Sequence, residues 1–426
     1  MYKVFLGIFF IGISLQAQNS KTDKLIKEVE PKVIEWRRDF HEHPELSNRE
    51  FETAKKIAKH LKSLGIEVQT GVAHTGVVGI LKGGNPGPVI ALRADIDALP
   101  VTERVDLPFA SKVKSEYNGV ETGVMHACGH DTHTAMMMGT VEVLSKMKKD
   151  LKGTVKFIFQ PAEEGAPSGE EGGAKLMVKE GVLKNPDVDV IFGLHISSQT
   201  DVGKITYKPG GTMAAAQRFV IKVHGKQAHG SRPWDGIDPI VISAQIINGL
   251  QTIISRETEL TKEGAVITVG LIRGGVRSNI IPEEVEMIGT IRTLDYEMQK
   301  KLNETMKFRV TSIAESFGAT ADIVIEEGLP ITYNDKELTA KMLPSLQKAA
   351  GKDNVILVNA TTGAEDFSFY QKEVPGLYFF VGGKPLNVKK EDAPSHHTPD
   401  FYIDESGLKL GVKAMVTLTL DYMNNN

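Results

Sequence analysis

The chain carries a single cysteine, Cys128, within the run Met125-His126-Ala127-Cys128-Gly129-His130-Asp131. A thiol two residues from an imidazole is a pair of soft and borderline metal donors. Three further clusters offer related chemistry: the adjacent carboxylates Glu163 and Glu164, His195 in Gly193-Leu194-His195, and His396-His397 before Thr398-Pro399. Singly, each has an ordinary explanation, because free cysteines are mostly small buried hydrophobes and adjacent glutamates mostly face solvent. Each follows an apparent strand, however, and ligands of open α/β sheets gather beyond the carboxyl ends of strands. Convergence is therefore expected. Thiolate, imidazole and carboxylate donors suit zinc, manganese, cobalt or nickel and argue against calcium or magnesium. Five protein donors exceed the three plus water of one open catalytic zinc, so two ions about 3.5 to 4 Å apart are expected.

The elements that must position these residues follow from apolar spacing. Residues 20–64 read as helical, with Gly65 as the stop. Strands are expected at 76–81, 89–94, 154–159, 188–194 and 376–381, and helices at 174–180 and 336–350. A helix over 132–148 is expected with Asp131 as its N-cap and Ala135, Met138, Val141 and Leu144 as one buried stripe, its methionines serving as core packing. Helices alternating with unbroken apolar strands indicate an α/β fold with a mostly parallel sheet covered on both faces. From residue 213 the texture changes to period-two alternation (Phe219, Ile221, Val223), a helix over 239–255, and strands at 266–272 and 285–294. This reads as an α+β unit over 213–325 inserted into a catalytic domain formed by 18–212 and 326–426.

With 426 residues, two domains are expected. The 50 basic against 54 acidic residues leave no excess to hold a phosphate backbone, so nucleic acid is not an expected partner. Residues 1–17 have the three-part plan of a cleaved export signal: Met1-Tyr2-Lys3, an apolar run from 4 to 15, then Gln16-Ala17. The run is shorter than the ~20 residues of a spanning helix, so an exported, periplasmic or secreted protein without a stable membrane anchor is expected. A lone cysteine there cannot form an internal disulfide.

Several longer motifs occur in a fixed order: Arg37-Arg38-Asp39-Phe40-His41-Glu42-His43-Pro44-Glu45-Leu46, Leu92-Arg93-Ala94-Asp95-Ile96-Asp97-Ala98-Leu99-Pro100, Met125 to His133, Gln160 to Gly165, Gly193-Leu194-His195 and His397-Thr398-Pro399. Together they resemble the di-metal metallopeptidases that include aminoacylases and carboxypeptidases, and within them the hippurate hydrolase and auxin-conjugate hydrolase branch. The resemblance implies a zinc-exopeptidase-like catalytic domain interrupted by a lid that mediates homodimerisation. It implies Cys128, His130, Glu164, His195 and His397 as metal ligands, Glu163 as general base, and Asp97 as the aspartate that orients a ligand. His229 resembles a lid histidine that relatives contribute across the dimer interface, and Asn279 and Arg292 resemble lid residues that meet the substrate's carbonyl and carboxylate. His396 receives no role from the resemblance. His41, His43 and His74 are expected to pack or cap.

The expected activity is metal-dependent hydrolysis of small N-acyl amino acids of the hippurate type, Glu163 removing a proton from a metal-activated water. An exported dipeptidase or carboxypeptidase would use the same site. A non-catalytic metal- or peptide-binding protein would not need Glu163, and a thiol hydrolase would use Cys128 as nucleophile with His130 as base. The chemistry makes one demand on the fold. Neighbouring side chains on an extended segment point apart, so Glu163 and Glu164 require an irregular turn, which Gly165 permits.

Overall fold

The computed structural model describes residues 3–426, with side chains described from Lys21 onward. The expected export signal over residues 1–17 lies outside the residues described in full, and no described helix is long and apolar enough to cross a membrane.

The first helical stretch is two helices where apolar spacing predicts one: α1 (Lys3–Glu42) and α2 (Phe51–Ser63). Pro44 disfavours helical backbone at His43, and Asn48 takes a φ of 59°, so the chain turns between them. Glu45 in this turn accepts from the backbone N–H groups of Glu52 and Thr53 at 3.1 and 2.8 Å and so caps α2.

The chain continues through β1 (Glu67–Val72), β2 (Gly76–Lys82), β3 (Asn85–Asp95), a hairpin of β4 (Lys114–Tyr117) and β5 (Val120–Gly123), α3 (His130–Lys146), β6 (Lys152–Gln160), α4 (Gly173–Lys179), β7 (Val190–Asp201) and β8 (Ile205–Tyr207). A second compact unit comprises residues 211–333 and 359–368. It holds β9 (Ala215–His224), β10 (Ala228–His229), α5 (Pro239–Thr252), β11 (Ala265–Gly274), β12 (Ile280–Ile281), β13 (Glu284–Thr293), α6 (Tyr296–Ser316) and β14 (Thr320–Ile325). The first unit is completed by α7 (Lys336–Ala350), β15 (Val355–Leu357), β16 (Gly376–Lys384) and α8 (Leu408–Asn424).

In the first unit eight strands run in the order β1-β2-β6-β3-β7-β16-β8-β15. The centre is parallel, β3 lying between β6 and β7, and β7 beside β16. These strands are apolar on both faces because helices cover both. Leu92, Phe157, Phe192 and Phe379 are fully buried in one core, each worth on the order of 2 kcal/mol of burial. Helix α3 is buried from His130 to Leu144 on every side, not along the single stripe that periodicity predicts, because α1 and α8 pack against it together with the sheet. Such a helix reads as buried all round. His195 also departs from expectation: it lies within β7, opposite Phe380 of β16, because the strand continues to Asp201.

The second unit is an antiparallel sheet, β11-β13-β9-β14, with α5 and α6 sharing its core. Phe219, Ile221 and Val223 are fully buried at alternate positions of β9, as period two requires. Asp238 and Asp295 cap the two helices by accepting from Ile240 N and Met298 N at 2.9 Å. A separate two-strand ladder pairs β10 with β12, placing His229 opposite Ile280.

Candidate metal centre

The centre forms at the carboxyl ends of the parallel strands of the first unit. β3 runs out into Asp95 and Asp97, β6 into Glu163 and Glu164, and β7 carries His195. The segment before α3 brings Cys128 and His130. Gly129 is the N-cap of that helix, with φ of 88°, and a Cβ there would lie 2.4 Å from Ile196 Cγ2. Only glycine fits both constraints. The left-handed turn starts the helix at His130, so Asp131 is not its cap. Asp131 instead sits fully buried in the first turn, ion-paired with Arg37 Nε at 2.9 Å and His41 Nδ1 at 2.8 Å.

Cys128 Sγ lies 3.5 Å from His195 Nε2 and 3.2 Å from His397 Nε2. His397 Nε2 is 3.1 Å from Glu164 Oε1, and His130 Nε2 is 3.8 Å from both Glu163 Oε2 and Glu164 Oε1. The structure thus draws Cys128, His130, Glu163, Glu164, His195 and His397 into one cluster.

Hydrogen bonds sort the histidines by the lone pair each has left. His130 donates from Nδ1 to Asp97 Oδ1 at 3.1 Å, leaving Nε2 buried without a hydrogen-bond partner and facing the glutamates. His195 donates from Nδ1 to Ile196 O at 2.5 Å, leaving Nε2 toward Cys128. His133 and His396 have no such surplus. His133 Nε2 accepts from Ile196 N at 2.8 Å while Nδ1 donates to Asp95 Oδ1 at 2.6 Å. His396 Nε2 accepts from Ser198 N at 3.2 Å while Nδ1 donates to Cys128 O at 3.2 Å. A metal needs an unshared lone pair, so His130 and His195 could hold an ion through Nε2, whereas both ring nitrogens of His133 and His396 are engaged.

Electrostatics point the same way. Burial opposes a charge on His130, yet Asp95 and Asp97 overcome it and push its pKa up to about 10. Burial first, then Glu164, Glu163 and Asp95, hold the Cys128 thiol well above its ordinary value. Burial and the neighbouring His133 and His396 keep His195 neutral. Carboxylates thus retain a proton where a cation would sit. An orphaned imidazole nitrogen and a thiol among carboxylates fit divalent transition-metal ions.

The turn required for Glu163 and Glu164 begins before them. Ala162 takes a φ of 52° and Gly165 one of 108°. The Ala162 N–H donates to Glu50 Oε1 at 3.0 Å and the Glu164 N–H to Asp97 Oδ2 at 3.1 Å. Glu50 is a supporting residue that no linear motif discloses, since 112 residues separate it from Ala162. Asp95 was within reach of period-two reasoning, which places it on the same face as Asp97. Among the remaining histidines, His41 departs from a packing or capping role, bridging Asp131 and, at 3.2 Å, Glu103 Oε1. His43 donates to Asp39 O at 2.9 Å at the end of α1, and His74 contacts Glu171 O at 3.0 Å.

In the second unit His229 is exposed on the β10–β12 ladder and Asn279 is exposed just before β12, its carbonyl accepting from Gly230 N at 2.8 Å. Arg292 is half-buried on β13, between Ala216 of β9 and Val266 of β11.

The order of these motifs along the sheet has a counterpart among known proteins: residues 91–421 match the family model described as peptidase family M20/M25/M40. The chain belongs to this family. It is 43% identical to thermostable carboxypeptidase 2 of Saccharolobus solfataricus, over 94% of this chain and 97% of that protein. It is 40% identical to an N-acetylcysteine deacetylase of Bacillus subtilis, over 92% of this chain and 97% of that protein. A Bacillus subtilis structure described as a dinuclear metal-binding peptidase of the M20 family superposes with a TM-score of 0.79 at 37% identity, covering 94% of this chain and all of that one. Membership in the M20 family makes the protein a metal-dependent amidohydrolase or peptidase.

Proposed function

We propose that the protein hydrolyses the amide bond of N-acyl amino acids with two divalent ions, zinc, manganese, cobalt or nickel, held by Cys128, His130, Glu164, His195 and His397. The observation that carries this reading is the set of lone pairs left over by the hydrogen bonds of His130 and His195, aimed at Glu164 and Cys128. The deacetylase relative supports an acyl amino acid as substrate, and the dinuclear structure supports two ions. When bound, the ions polarise the scissile carbonyl and lower the pKa of a water toward ~7.

Glu163 takes a proton from the attacking water and returns it to the departing amine nitrogen, so that the water oxygen joins the acyl carbon as the carbon–nitrogen bond breaks. Asp97 positions two partners at once, orienting the His130 ring and fixing the Glu164 backbone. His229 serves as a donor to the tetrahedral oxyanion from the partner of a homodimer, and Asn279 and Arg292 meet the substrate's carbonyl and carboxylate. Glu163 distinguishes this reading from a binding protein. A Cys128 sulfur that holds an ion is not free to act as a nucleophile.

The carboxypeptidase relative favours a second reading, cleavage of dipeptides at the same site. Metal content measured together with turnover of hippurate, N-acetyl amino acids and dipeptides separates the two. Acyl amino acids should be cleaved and chelation should abolish the activity. Cleavage of dipeptides alone would overturn the substrate assignment, and activity surviving chelation but lost on alkylation would overturn the metal mechanism. The expected export signal over residues 1–17 supports action outside the cytoplasm, and Gln18 as the first residue of the mature protein would bear it out.

A further inference from the structure

A cavity of about 200 Å³ opens beside Glu164, walled by the turn after α1, the segment after β3 and the tip of the β4–β5 hairpin. We propose that this cavity receives the acyl group of the substrate, an uncharged acyl of up to one ring, and that the hairpin tip sets its size. The proposal rests on the reading of the protein as an N-acyl amino acid hydrolase.

Position is the first argument. Ser47 lines the cavity and donates to Asp97 Oδ2 at 2.7 Å, the oxygen that also accepts from Glu164 N. The other oxygen of Asp97 pairs with His130. Cavity wall and reacting centre are therefore parts of one hydrogen-bonded frame, and a group held in the cavity is tied in position to the centre.

The lining decides which half of the substrate enters. Leu46 and Ala98 belong, with Val124 and Val113, to an apolar cluster separate from the main core, and Leu99 and Pro100 extend the apolar wall. The charged groups at the cavity are acidic, Glu116 and Glu164, apart from Arg49. Arg49 is engaged in a two-pronged pair with Glu170, at 2.6 and 3.1 Å. With Glu164 holding an ion, Glu116 is the like charge a carboxylate entering here would meet, beside a guanidinium already paired with Glu170. The amino-acid half of the substrate carries that carboxylate, so the acyl half is the one that fits. Size agrees: an apolar cavity of about 150 Å³ is enough for benzene.

The hairpin can change without cost to the core. Both of its strands are exposed or half-exposed, and its turn, Asn118-Gly119 with φ of 52° and 79°, is the Asn-Gly type that closes two-residue hairpins. Ser115 and Tyr117, which alternation places on one face of β4, are among the residues that line the cavity from this outer wall. Acyl preference is thus adjustable at two residues outside the packed interior.

The test is a matrix of acetyl, hexanoyl, benzoyl and indole-acetyl groups on alanine, leucine and phenylalanine, read as kcat/KM for the wild-type protein and for Ser115→Trp and Tyr117→Ala. Ser115→Trp should lower the benzoyl-to-acetyl ratio by about tenfold or more, the scale on which a pocket discriminates by size. Tyr117→Ala should raise the ratio of indole-acetyl to acetyl. Both shifts should be the same for all three amino acids. A shift that follows the amino acid, or an unchanged profile in both variants with melting temperatures retained, would overturn the acyl assignment. A wild-type protein inactive on every member of the matrix but active on dipeptides would overturn the underlying reading instead. The two variants act from different positions on an exposed hairpin, so a folding failure in one leaves the other decisive.

Discussion

The two units present most of their candidate residues in opposite ways. In the first, Cys128, His130 and both glutamates are buried or nearly so, His130 and Glu164 are fixed by Asp97, and His397 is the exposed exception among them. In the second, His229 is exposed on a ladder two residues long, Asn279 is exposed just before it, and Arg292 is half-buried. Residues that hold an ion need fixed lone pairs, and buried carboxylates supply the orientation. Residues that meet a substrate, or a partner's site, must remain open until it arrives. The first arrangement ties function to stability, whereas the second separates them.

The largest test of that contrast is Glu163→Gln. It keeps the shape of the side chain and removes the base, so kcat should fall roughly 10²- to 10⁴-fold while bound metal stays constant. Loss of metal together with activity would make Glu163 a ligand and not a base. His229→Ala should cost about 10²- to 10³-fold in kcat, the scale of a lost oxyanion donor, with melting temperature and metal content unchanged because the side chain is exposed. If His229 acts across a dimer, mixing the two inactive variants should restore activity, since one site of each mixed dimer regains both residues. No recovery on mixing, with dimers demonstrated, would confine His229 to its own chain.

The same contrast explains what could be read from the sequence. The ends of parallel strands are where ligands gather, so Glu163, Glu164 and His195 could be grouped with Cys128 and the pair His396-His397 from strand patterning and residue chemistry, whereas the choice of His397 over His396 came from the family resemblance and Cys128 follows the antiparallel β5. The parallel sheet was equally legible, because buried strands are continuous apolar runs. Three features were not. The break between α1 and α2 was hidden because apolar residues recur at helical spacing on both sides of Pro44, although the proline itself was the available signal. The start of α3 depends on a left-handed Gly129 wedged against Ile196, a contact made only in three dimensions. The buried partners Arg37, His41 and Glu50 are polar residues on or beside helices, and nothing in the local pattern distinguishes them from solvated ones.

Glu50 gives the smallest effect on turnover and the one that most sharpens the comparison. Burial, with the charge of Asp97 adding to it, pushes its pKa from the ordinary 4.5 up to about 8. Between those values the folded chain holds a proton that the unfolded chain has released. The native state then binds more protons than the unfolded one, so this group makes stability decline as pH rises through the window from about 4.5 to 8. The limit is about 1.4 kcal/mol per pH unit for one group. Glu50→Gln removes the titration while keeping an oxygen that can accept from Ala162 N, so the turn before Glu163 should persist and kcat should change little. Denaturant unfolding at pH 5, 6, 7 and 8 should show the variant gaining on the wild-type protein as pH increases. Parallel stability curves would mean that Glu50 ionises as it does in water, and that the carboxyl beneath the Glu163–Glu164 turn carries its charge in the fold.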